Sequence, residues 1–353
     1  RTILVDPGTY TYTGASSARD RFRSSPAHNT LTVDGQSSSE MSGPFTWKTA
    51  ARSRSLAWHT ASRFDYFEGE QDGYRRLSPP VEHRRAVLFL KGDYWVVRDR
   101  VESAAEHLYE LHFHFAPDAA PRLDAADDSN APGKRGQGLP LLRERRDDAP
   151  GLDVYVAGDG GAWREVEGEV SPCYGATLPA PVFTYAAASS GAAEFYTFLL
   201  PRAVGERSSS VVREVEAEGG RAFELKTDDA HEDLLLTRAC VGDASACVGN
   251  ASAADDEASA RGDVAPGEVR TSRASSDFAW AWARLDRASG ALLELVLIDG
   301  TTFRLDGREV FASRERVASL ALKFDGGRLV ADDTSSLTRA FEISSLKSEI
   351  VLK

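Results

Sequence analysis

Short runs of alternating apolar and polar residues, separated by turn residues, extend along almost the whole of this sequence. Such runs predict half-buried β-strands, because side chains of a strand point alternately to its two faces. Helical periodicity is nearly absent, and we expect any helix to be confined to short turns. Hairpin turns are indicated at Lys91-Gly92-Asp93, Asp299-Gly300, Asp306-Gly307 and Asp325-Gly326-Gly327. Such short connections cannot form parallel crossovers, so we predict an all-β fold: a large antiparallel β-sandwich with an additional C-terminal β-layer.

Composition divides the 353 residues into three predicted parts. Residues 1–227 are expected to form the antiparallel β-sandwich, and residues 276–353 the C-terminal β-layer. Residues 228–275 are interpreted as a mobile connection rich in Ala, Ser, Asp and Gly, with few large apolar residues to bury. Residues 117–150 are polar and rich in Gly and Pro, which predicts a long loop with one weak strand near Leu139 to Leu142.

The net charge of −12 is unevenly distributed. Residues 1–100 carry 15 Lys and Arg against 11 Asp and Glu, whereas residues 101–353 carry 27 against 43. A locally basic front suits an acidic ligand, because the field in a cleft follows the nearby charges. Solvated arginine-rich strands explain the pattern equally well. Nothing resembles a membrane span, a dinucleotide or phosphate-binding motif, or a nucleic-acid-binding signature.

The three cysteines, Cys173, Cys240 and Cys247, leave at least one thiol unpaired. Cys240 and Cys247 could close a small loop in an oxidising compartment, or all three could be free. The chain opens on Arg1 within a strand-like pattern, without Met or a signal-like segment. We interpret it as a fragment, or a mature piece, of a longer protein.

Two residues at the ends of strand-like runs are the strongest candidates for a site. Ile3-Leu4-Val5 ends in Asp6, and Asp6-Pro7-Gly8 is typical of a turn because Pro fixes φ and Gly permits positive φ. His28 precedes the β-branched run from Thr30 to Val33. We therefore expect the carboxylate and the imidazole to meet at strand ends, within hydrogen-bonding or near-metal distance. An ordinary Asp–His hydrogen bond at a turn is the alternative interpretation.

A second group of polar residues follows one predicted strand. Glu110, His112 and His114 share a face of it. The residues of the opposite face are expected in the core: Tyr109, Leu111, Phe113 and Phe115. Two imidazoles two residues apart can chelate a metal, but a polar face bound to backbone or carboxylate groups is favoured. His59 and His83 have no partner at chemical spacing and are interpreted as structural.

The connection between Asp6 and His28 contains aromatic and basic residues. Tyr12 follows the Asp turn, where aromatic packing competes with a role in a cleft. Arg19, Arg21 and Arg23 are candidates for substrate binding, because guanidinium groups bind carboxylate or sulfate through two hydrogen bonds. Solvated arginines in a loop are an equally good interpretation.

The sequence resembles the C-terminal β-domain of the heparinase II/III-like polysaccharide lyases. The resemblance extends to about residue 200. It rests on motifs in a fixed order: Asp6-Pro7-Gly8-Thr9-Tyr10, Ala27-His28-Asn29-Thr30, Val33-Asp34-Gly35, Asp72-Gly73-Tyr74, Val81-Glu82-His83-Arg84-Arg85, Tyr94-Trp95-Val96-Val97-Arg98-Asp99-Arg100-Val101 and His112-Phe113-His114-Phe115-Ala116-Pro117.

This resemblance implies cleavage of a uronate-containing acidic polysaccharide by β-elimination. In the family most catalytic groups come from an N-terminal α/α toroid, and one His comes from the strand before the position of Arg1. The chain alone is therefore expected to be inactive. A structural zinc held by Asp6, His28 and a third ligand upstream of residue 1 is also implied, with Tyr12 as a cleft-lining catalytic candidate.

A non-catalytic carbohydrate-binding or scaffolding module in polysaccharide assembly is the alternative function. In either case the expected partners are an acidic polysaccharide and the N-terminal toroid of the longer protein, without nucleic acid. The expected location is periplasmic or secreted.

Overall fold

The computed structural model describes residues 1–13, 16–124, 138–206, 210–227, 230–239, 267–325 and 328–331. The chain divides into two compact units. One contains Arg1–Trp58, Asp65–Gly133 and Pro140–Arg207, and the other contains His59–Phe64, Lys134–Leu139 and Ser208–Lys353. The predicted fold class, an all-β antiparallel β-sandwich, is confirmed.

The first unit is organised by a sheet with ten described strands, in the order β4-β5-β6-β7-β12-β10-β9-β8, to which β1 and β11 also pair. A separate hairpin is formed by β2 and β3. The strands are β1 (Leu31–Val33), β2 (Glu40–Gly43), β3 (Thr46–Thr49), β4 (Ser53–Thr60), β5 (Phe64–Gln71), β6 (Glu82–Leu90), β7 (Tyr94–His114), β8 (Arg122–Leu123), β9 (Leu141–Glu144), β10 (Gly151–Ala157), β11 (Ala162–Cys173) and β12 (Ala176–Arg202).

Two long strands, β7 and β12, hold this sheet together. They pair with each other along one edge, and along the other edge each pairs with two shorter strands in succession. β7 pairs with β12 on one edge, and on the other edge first with β6 and then with β1. β12 pairs with β11 and then with β10. The N-terminal segment joins the end of β7 through a bridge between Leu4 and Phe115. The Asp6 turn therefore lies beside the end of β7.

The core of the first unit follows the predicted alternation along β7. Tyr109, Leu111, Phe113 and Phe115 are each at most 6 % exposed and pack with buried residues of β12. Burying a large side chain of this kind contributes about 1.5–3 kcal/mol relative to leaving it in water. The same alternation turns Glu110, His112 and His114 to the opposite face of the strand.

Among the described residues, one helix differs from the expectation that helix would be confined to short turns. The arginine-rich connection, predicted as a loop, contains the eight-residue helix α1 (Ser16–Arg23). Its apolar contact with the protein is Phe22, which is 3 % exposed and stacks on Tyr10 at 5.8 Å. One apolar anchor gives no periodic pattern, which explains why the sequence did not indicate a helix. Two further helical segments in the described part of the chain are 3₁₀ turns, Ser25–Ala27 and Gly73–Arg76.

The second unit contains a sheet with nine described strands, in the order β13-β14-β15-β18-β19-β17-β16, with β20 paired to β19 and to β21. Its core includes buried Phe278, Phe303 and Phe311. The strands are β13 (Val211–Val215), β14 (Gly220–Lys226), β15 (His231–Arg238), β16 (Val269–Arg270), β17 (Ala274–Ser276), β18 (Trp280–Asp286), β19 (Leu292–Leu305), β20 (Arg308–Asp325) and β21 (Arg328–Ala331).

The hairpin prediction at Asp299-Gly300 is wrong. These residues lie inside β19, at a register shift between Gly300 and Thr302, and Asp299 adopts a φ of 58°. Asp-Gly favours positive φ in a bulge as well as in a turn, so the dipeptide alone does not distinguish them. The turn at Asp306-Gly307 and the turn at Lys91-Gly92-Asp93 are confirmed by the strands on either side.

The domain boundaries at residues 227 and 275 remain predictions. β13 and β14, which precede residue 227, pair in the sheet of the second unit. Of the predicted connection 228–275, the structure describes residues 230–239 and 267–275, which include β15 and β16. Cys173 is exposed and free, whereas Cys240 and Cys247 lie outside the described residues. The described part of the chain contains no helix with the length and hydrophobicity to span a membrane.

Candidate functional site

Asp6 and His28 lie in direct contact in the first unit. Nδ1 of His28 is 2.8 Å from Oδ2 of Asp6, although 22 residues separate them in sequence. The other carboxylate oxygen accepts a hydrogen bond of 3.1 Å from the backbone N–H of Gly8, which stabilises the turn. His28 is half-buried and the Asp6 side chain is 71 % exposed. The proximity expected from the sequence is therefore present, at a position open to solvent.

Asn29 fixes this pair in place, and sequence analysis did not single it out beyond its presence in the His-Asn-Thr motif. Its Nδ2 donates to the carbonyl of Val5 at 2.9 Å, and its Oδ1 accepts from the backbone N–H of His114 at 2.7 Å. The residue before Asp6 and the residue after His28 are thus joined to each other and to the end of β7.

The geometry of the pair bears on the predicted zinc. Two ligands of a tetrahedral zinc lie about 3.3 Å apart, given metal–ligand bonds of about 2.0 Å. The 2.8 Å contact between Asp6 and His28 is a hydrogen bond that metal binding would replace. Among the described residues, no group of three or more His, Cys, Asp or Glu side chains is arranged to hold a metal ion. The residues present fit two of the roughly four ligands of a structural site.

His112 and His114 occupy the polar face of β7, where hydroxyl and carbonyl groups bind them. Nε2 of His112 is 2.9 Å from the hydroxyl of Thr32. Burial lowers the pKa of His112 to about 4, and the charges of His114 and Arg164 act in the same direction. Nε2 of His114 donates to the carbonyl of Pro26 at 3.0 Å, because a carbonyl only accepts. Burial also lowers the pKa of His114.

An open groove of about 1280 Å³ runs past these histidines. Its wall includes Arg164, which forms an ion pair with the buried carboxylate of Glu110. Other lining residues come from the segments that flank the Asp6–His28 pair and from α1, β11 and β12: Pro7, Arg21, Phe22, Pro26, Ala27, Glu165, Glu167, Glu169, Thr177 and Thr184. The groove is thus lined by apolar residues together with charged ones of both signs, and it lies beside the pair.

The three predicted substrate-binding arginines lie on α1 but have different surroundings. Arg21 is exposed, lines the groove and forms an ion pair with Glu169. The side chain of Arg23 is only 9 % exposed and donates to the carbonyls of Gly43 and Pro44.

Arg19 lies over the ring of Tyr12, 5.4 Å from its centroid, and donates to the carbonyl of Pro44 at 3.4 Å. Arg21 is therefore the arginine best placed to meet a ligand in the groove. Arg19 and Arg23 hold the β2–β3 hairpin.

A buried polar cluster corrects the prediction that His83 has no partner. Nε2 of His83 is 2.8 Å from Oδ1 of Asp99, and its Nδ1 is 3.2 Å from the side-chain nitrogen of Gln71. Burial by itself would raise the pKa of Asp99, but Arg85 and His83 lower it to about 2.

The partner of His83 is on the next strand, and only the register of β6 and β7 brings it close. His59 also has surroundings that the sequence did not show. In the second unit, burial lowers its pKa, opposed by the charge of Asp299.

Comparison with known proteins gives the class of this chain. Residues 1–189 match the family model described as heparinase II/III-like, C-terminal, which is more than half of the chain. The chain therefore belongs to the heparinase II/III-like family, as the motifs predicted. A heparin-sulfate lyase of Pedobacter heparinus is 24 % identical over 188 residues, covering 52 % of this chain and 25 % of the relative.

Solved structures share the fold. The crystal structure of heparan sulfate lyase HepC from Pedobacter heparinus has a TM-score of 0.51 and 22 % identity, over 64 % of this chain and 33 % of that one. A HepC mutant has a TM-score of 0.53 and 22 % identity, over 67 % and 35 %. The chain thus spans about a quarter to a third of the length of these relatives.

Proposed function

We propose that this chain is the C-terminal β-sandwich portion of a polysaccharide lyase that cleaves a uronate-containing polysaccharide by β-elimination. Family membership supports this proposal. The observation that carries it is the contact between Asp6 and His28, because two motif residues far apart in sequence meet beside an open groove that contains charged side chains. Their neighbours Pro7 and Ala27 line that groove.

The proposed reaction breaks two bonds of the substrate and forms one double bond. A base removes the proton at C5 of a uronate, the C4–O4 bond breaks, and an acid protonates the leaving oxygen, which gives an unsaturated uronate and a free hydroxyl. We place the base and the group that neutralises the uronate carboxylate on an N-terminal toroid of a longer protein. The chain described here supplies one side of the cleft, with Tyr12 and Arg21 as the residues nearest to a bound polymer.

The Asp6–His28 pair is proposed to hold a structural zinc together with a third protein ligand before residue 1. Zinc there would tie the N-terminal segment to the strand that follows His28, and so stabilise the wall of the groove. We further propose a periplasmic or secreted location, where such a polymer would be met.

A non-catalytic carbohydrate-binding or scaffolding module is the second candidate. It is favoured by the two ion pairs at the groove, Arg21 with Glu169 and Arg164 with Glu110, since guanidinium groups there can bind the carboxylate or sulfate groups of a polymer without cutting it. The two functions differ in whether the polymer is cut.

The test compares this chain with a longer protein that includes the upstream domain. Both are incubated with alginate, heparan sulfate and hyaluronan, and the absorbance of the unsaturated uronate is followed. We expect product from the longer protein and none from residues 1–353 alone. Turnover by the chain alone would show that the catalytic groups lie within residues 1–353 and not on an upstream domain. Binding without turnover by the longer protein would favour the scaffolding module.

A further inference from the structure

Three exposed aromatic side chains form a row on the surface of the first unit. Tyr12 lies between Phe45 and Tyr174, with ring centroids 6.1 and 5.7 Å away and interplanar angles of 22° and 30°. The three residues are 49 %, 66 % and 63 % exposed, respectively. Large apolar side chains exposed together in this way mark binding surfaces more often than isolated ones do.

The aromatic row (Phe45, Tyr12 and Tyr174) is built from three separate segments. Phe45 lies in the turn between β2 and β3, and Tyr174 lies in the turn between β11 and β12. Neither residue belongs to a motif that carried the family resemblance. The row therefore depends on how the fold brings two hairpin turns to the segment after the Asp6 turn.

Backbone hydrogen bonds fix the Tyr12 segment to the β11–β12 hairpin. The N–H of Gly175 donates to the carbonyl of Tyr10, and the N–H of Ser171 donates to the carbonyl of Pro7, each at 2.7 Å. Tyr10 adopts a φ of 61°, which is rare for an aromatic residue and redirects the chain towards the row.

The β2–β3 turn is fixed by Arg23, which donates to the carbonyls of Gly43 and Pro44 at 2.8 and 3.0 Å. The row is thus a pre-organised surface, and a ligand would not have to order it.

Position and charge indicate what this surface binds. Tyr174 is three residues before Thr177, which lines the groove, so the row and the groove share the β11–β12 hairpin. The guanidinium of Arg19 lies over the Tyr12 ring, and the exposed Arg21 lies on the same helix at the groove. A sugar ring has an apolar C–H face that suits an aromatic ring, and its carboxylate or sulfate groups suit arginine.

We propose that the aromatic row is a binding subsite for one pyranose unit of an acidic oligosaccharide that extends from the groove. This rests on the proposed function and deepens it, because it assigns polymer contacts to Phe45 and Tyr174. Arg19 and Arg21 select the acidic polymer over a neutral one.

The experiment measures binding of a heparan sulfate hexasaccharide to residues 1–353 by calorimetry, with cellohexaose as the uncharged comparison. Phe45→Ala and Tyr174→Ala should each weaken binding about tenfold, since each removes roughly 60 Å² of apolar contact. Tyr174→Phe keeps the stacking and should bind like the unaltered chain. Trp58→Ala removes an equally exposed aromatic (69 %) outside the row and serves as the matched control. Melting temperatures verify that each variant is folded.

The outcomes separate this proposal from the proposed function. Unchanged binding in Phe45→Ala and Tyr174→Ala, or an equal loss of binding in Trp58→Ala, overturns the subsite and leaves the lyase assignment standing. Tenfold weaker binding together with no unsaturated product from the longer protein supports the subsite and overturns the lyase. If the unaltered chain binds cellohexaose as well as the hexasaccharide, the assigned selectivity for acidic sugars is wrong.

Discussion

Arg85 and Asp99 face each other across β6 and β7, and two hydrogen bonds of 2.8 and 2.9 Å join the guanidinium to the carboxylate. The carboxylate is completely buried on the core side of the sheet, and His83 donates to it as well. Parallel hydrogen bonds of this kind fix orientation as well as charge. The pair therefore sets the alignment of β6 against β7 from inside the unit.

Replacing Asp99 with Asn should destabilise the first unit by about 3 kcal/mol, because Arg85 and His83 would remain without their anion. Urea unfolding at neutral pH measures this. Glu82→Gln on the neighbouring strand β6 is the control, since the Glu82–Arg75 pair is about half exposed and should contribute less than about 1 kcal/mol. Equal losses in the two variants would contradict the assigned role of Asp99.

The same carboxylate predicts a pH dependence. The pKa of Asp99 is lowered to about 2 in the folded protein, below its ordinary value of 3.8. Its stabilisation is therefore complete above about pH 4 and is lost as the pH falls towards 2, by about 2 kcal/mol. Unfolding curves of Asp99→Asn between pH 5 and 2 should show a correspondingly flatter decline. A decline as steep as that of the unaltered chain would rule this out.

His112 should add a second pH effect at higher pH. Because burial lowers its pKa to about 4, the unfolded chain takes up a proton below about pH 6.5 that the folded chain does not. Stability contributed by neutral His112 is present above pH 6.5 and decreases by about 3 kcal/mol as the pH falls to 4. His112→Gln should remove this part of the slope. NMR titration of the ring provides the independent check, and a midpoint near 6.5 would contradict the prediction.

Two glycines with similar backbone angles should respond differently to substitution. A Cβ on Gly8 (φ +77°) would lie 2.4 Å from the carbonyl oxygen of Ser171, whereas a Cβ on Gly92 (φ +84°) would meet open space. Gly92→Ala should cost about 1 kcal/mol from backbone strain alone, and Gly8→Ala clearly more. Chemical denaturation compares them directly. A cost of Gly8→Ala no larger than that of Gly92→Ala would show that the Asp6 turn is free to move off β11.

The metal proposal predicts a difference between loaded and metal-free protein. In a longer protein with the third ligand, His28→Ala should lower the melting temperature with zinc far more than without it, since metal binding stabilises only the folded form. Zinc affinity of residues 1–353 alone should be weak. An equal decrease in melting temperature with and without zinc would show that the Asp6–His28 pair only stabilises a turn.

Local signals in the sequence were sufficient for much of the fold. The Lys91-Gly92-Asp93 turn and the alternation along β7 were predictable because each depends on a few neighbouring residues. The meeting of Asp6 and His28 was expected because each adjoins a strand-like run in the sequence, although the run before Asp6 forms only a bridge at Leu4. Whether that site holds metal remains a prediction.

Other features depend on distant parts of the chain. The link between His83 and Asp99, 16 residues apart, requires the register of two strands. The bulge at Asp299-Gly300 has the Asp-Gly sequence that is also typical of a hairpin turn, so the sequence alone does not distinguish the two. The aromatic row joins three segments that are near each other only in the folded chain. Sequence patterns describe faces and turns, and they do not give the pairing that creates such contacts.

β7 contains a bulge where it pairs with β12, and this bulge limits which insertions and deletions β7 can accept. Between the paired positions Ser103–Gly191 and His107–Ser189, β7 advances four residues while β12 advances two. Two extra residues are an even number, so the strand leaves the bulge with the same side facing inwards, and Tyr109 and Leu111 still reach the core that Val101 reaches. Losing a single residue there would exchange His112 and His114 with their apolar neighbours, placing imidazoles in the interior and Phe113 in the groove. Natural relatives should therefore differ at this bulge by pairs of residues.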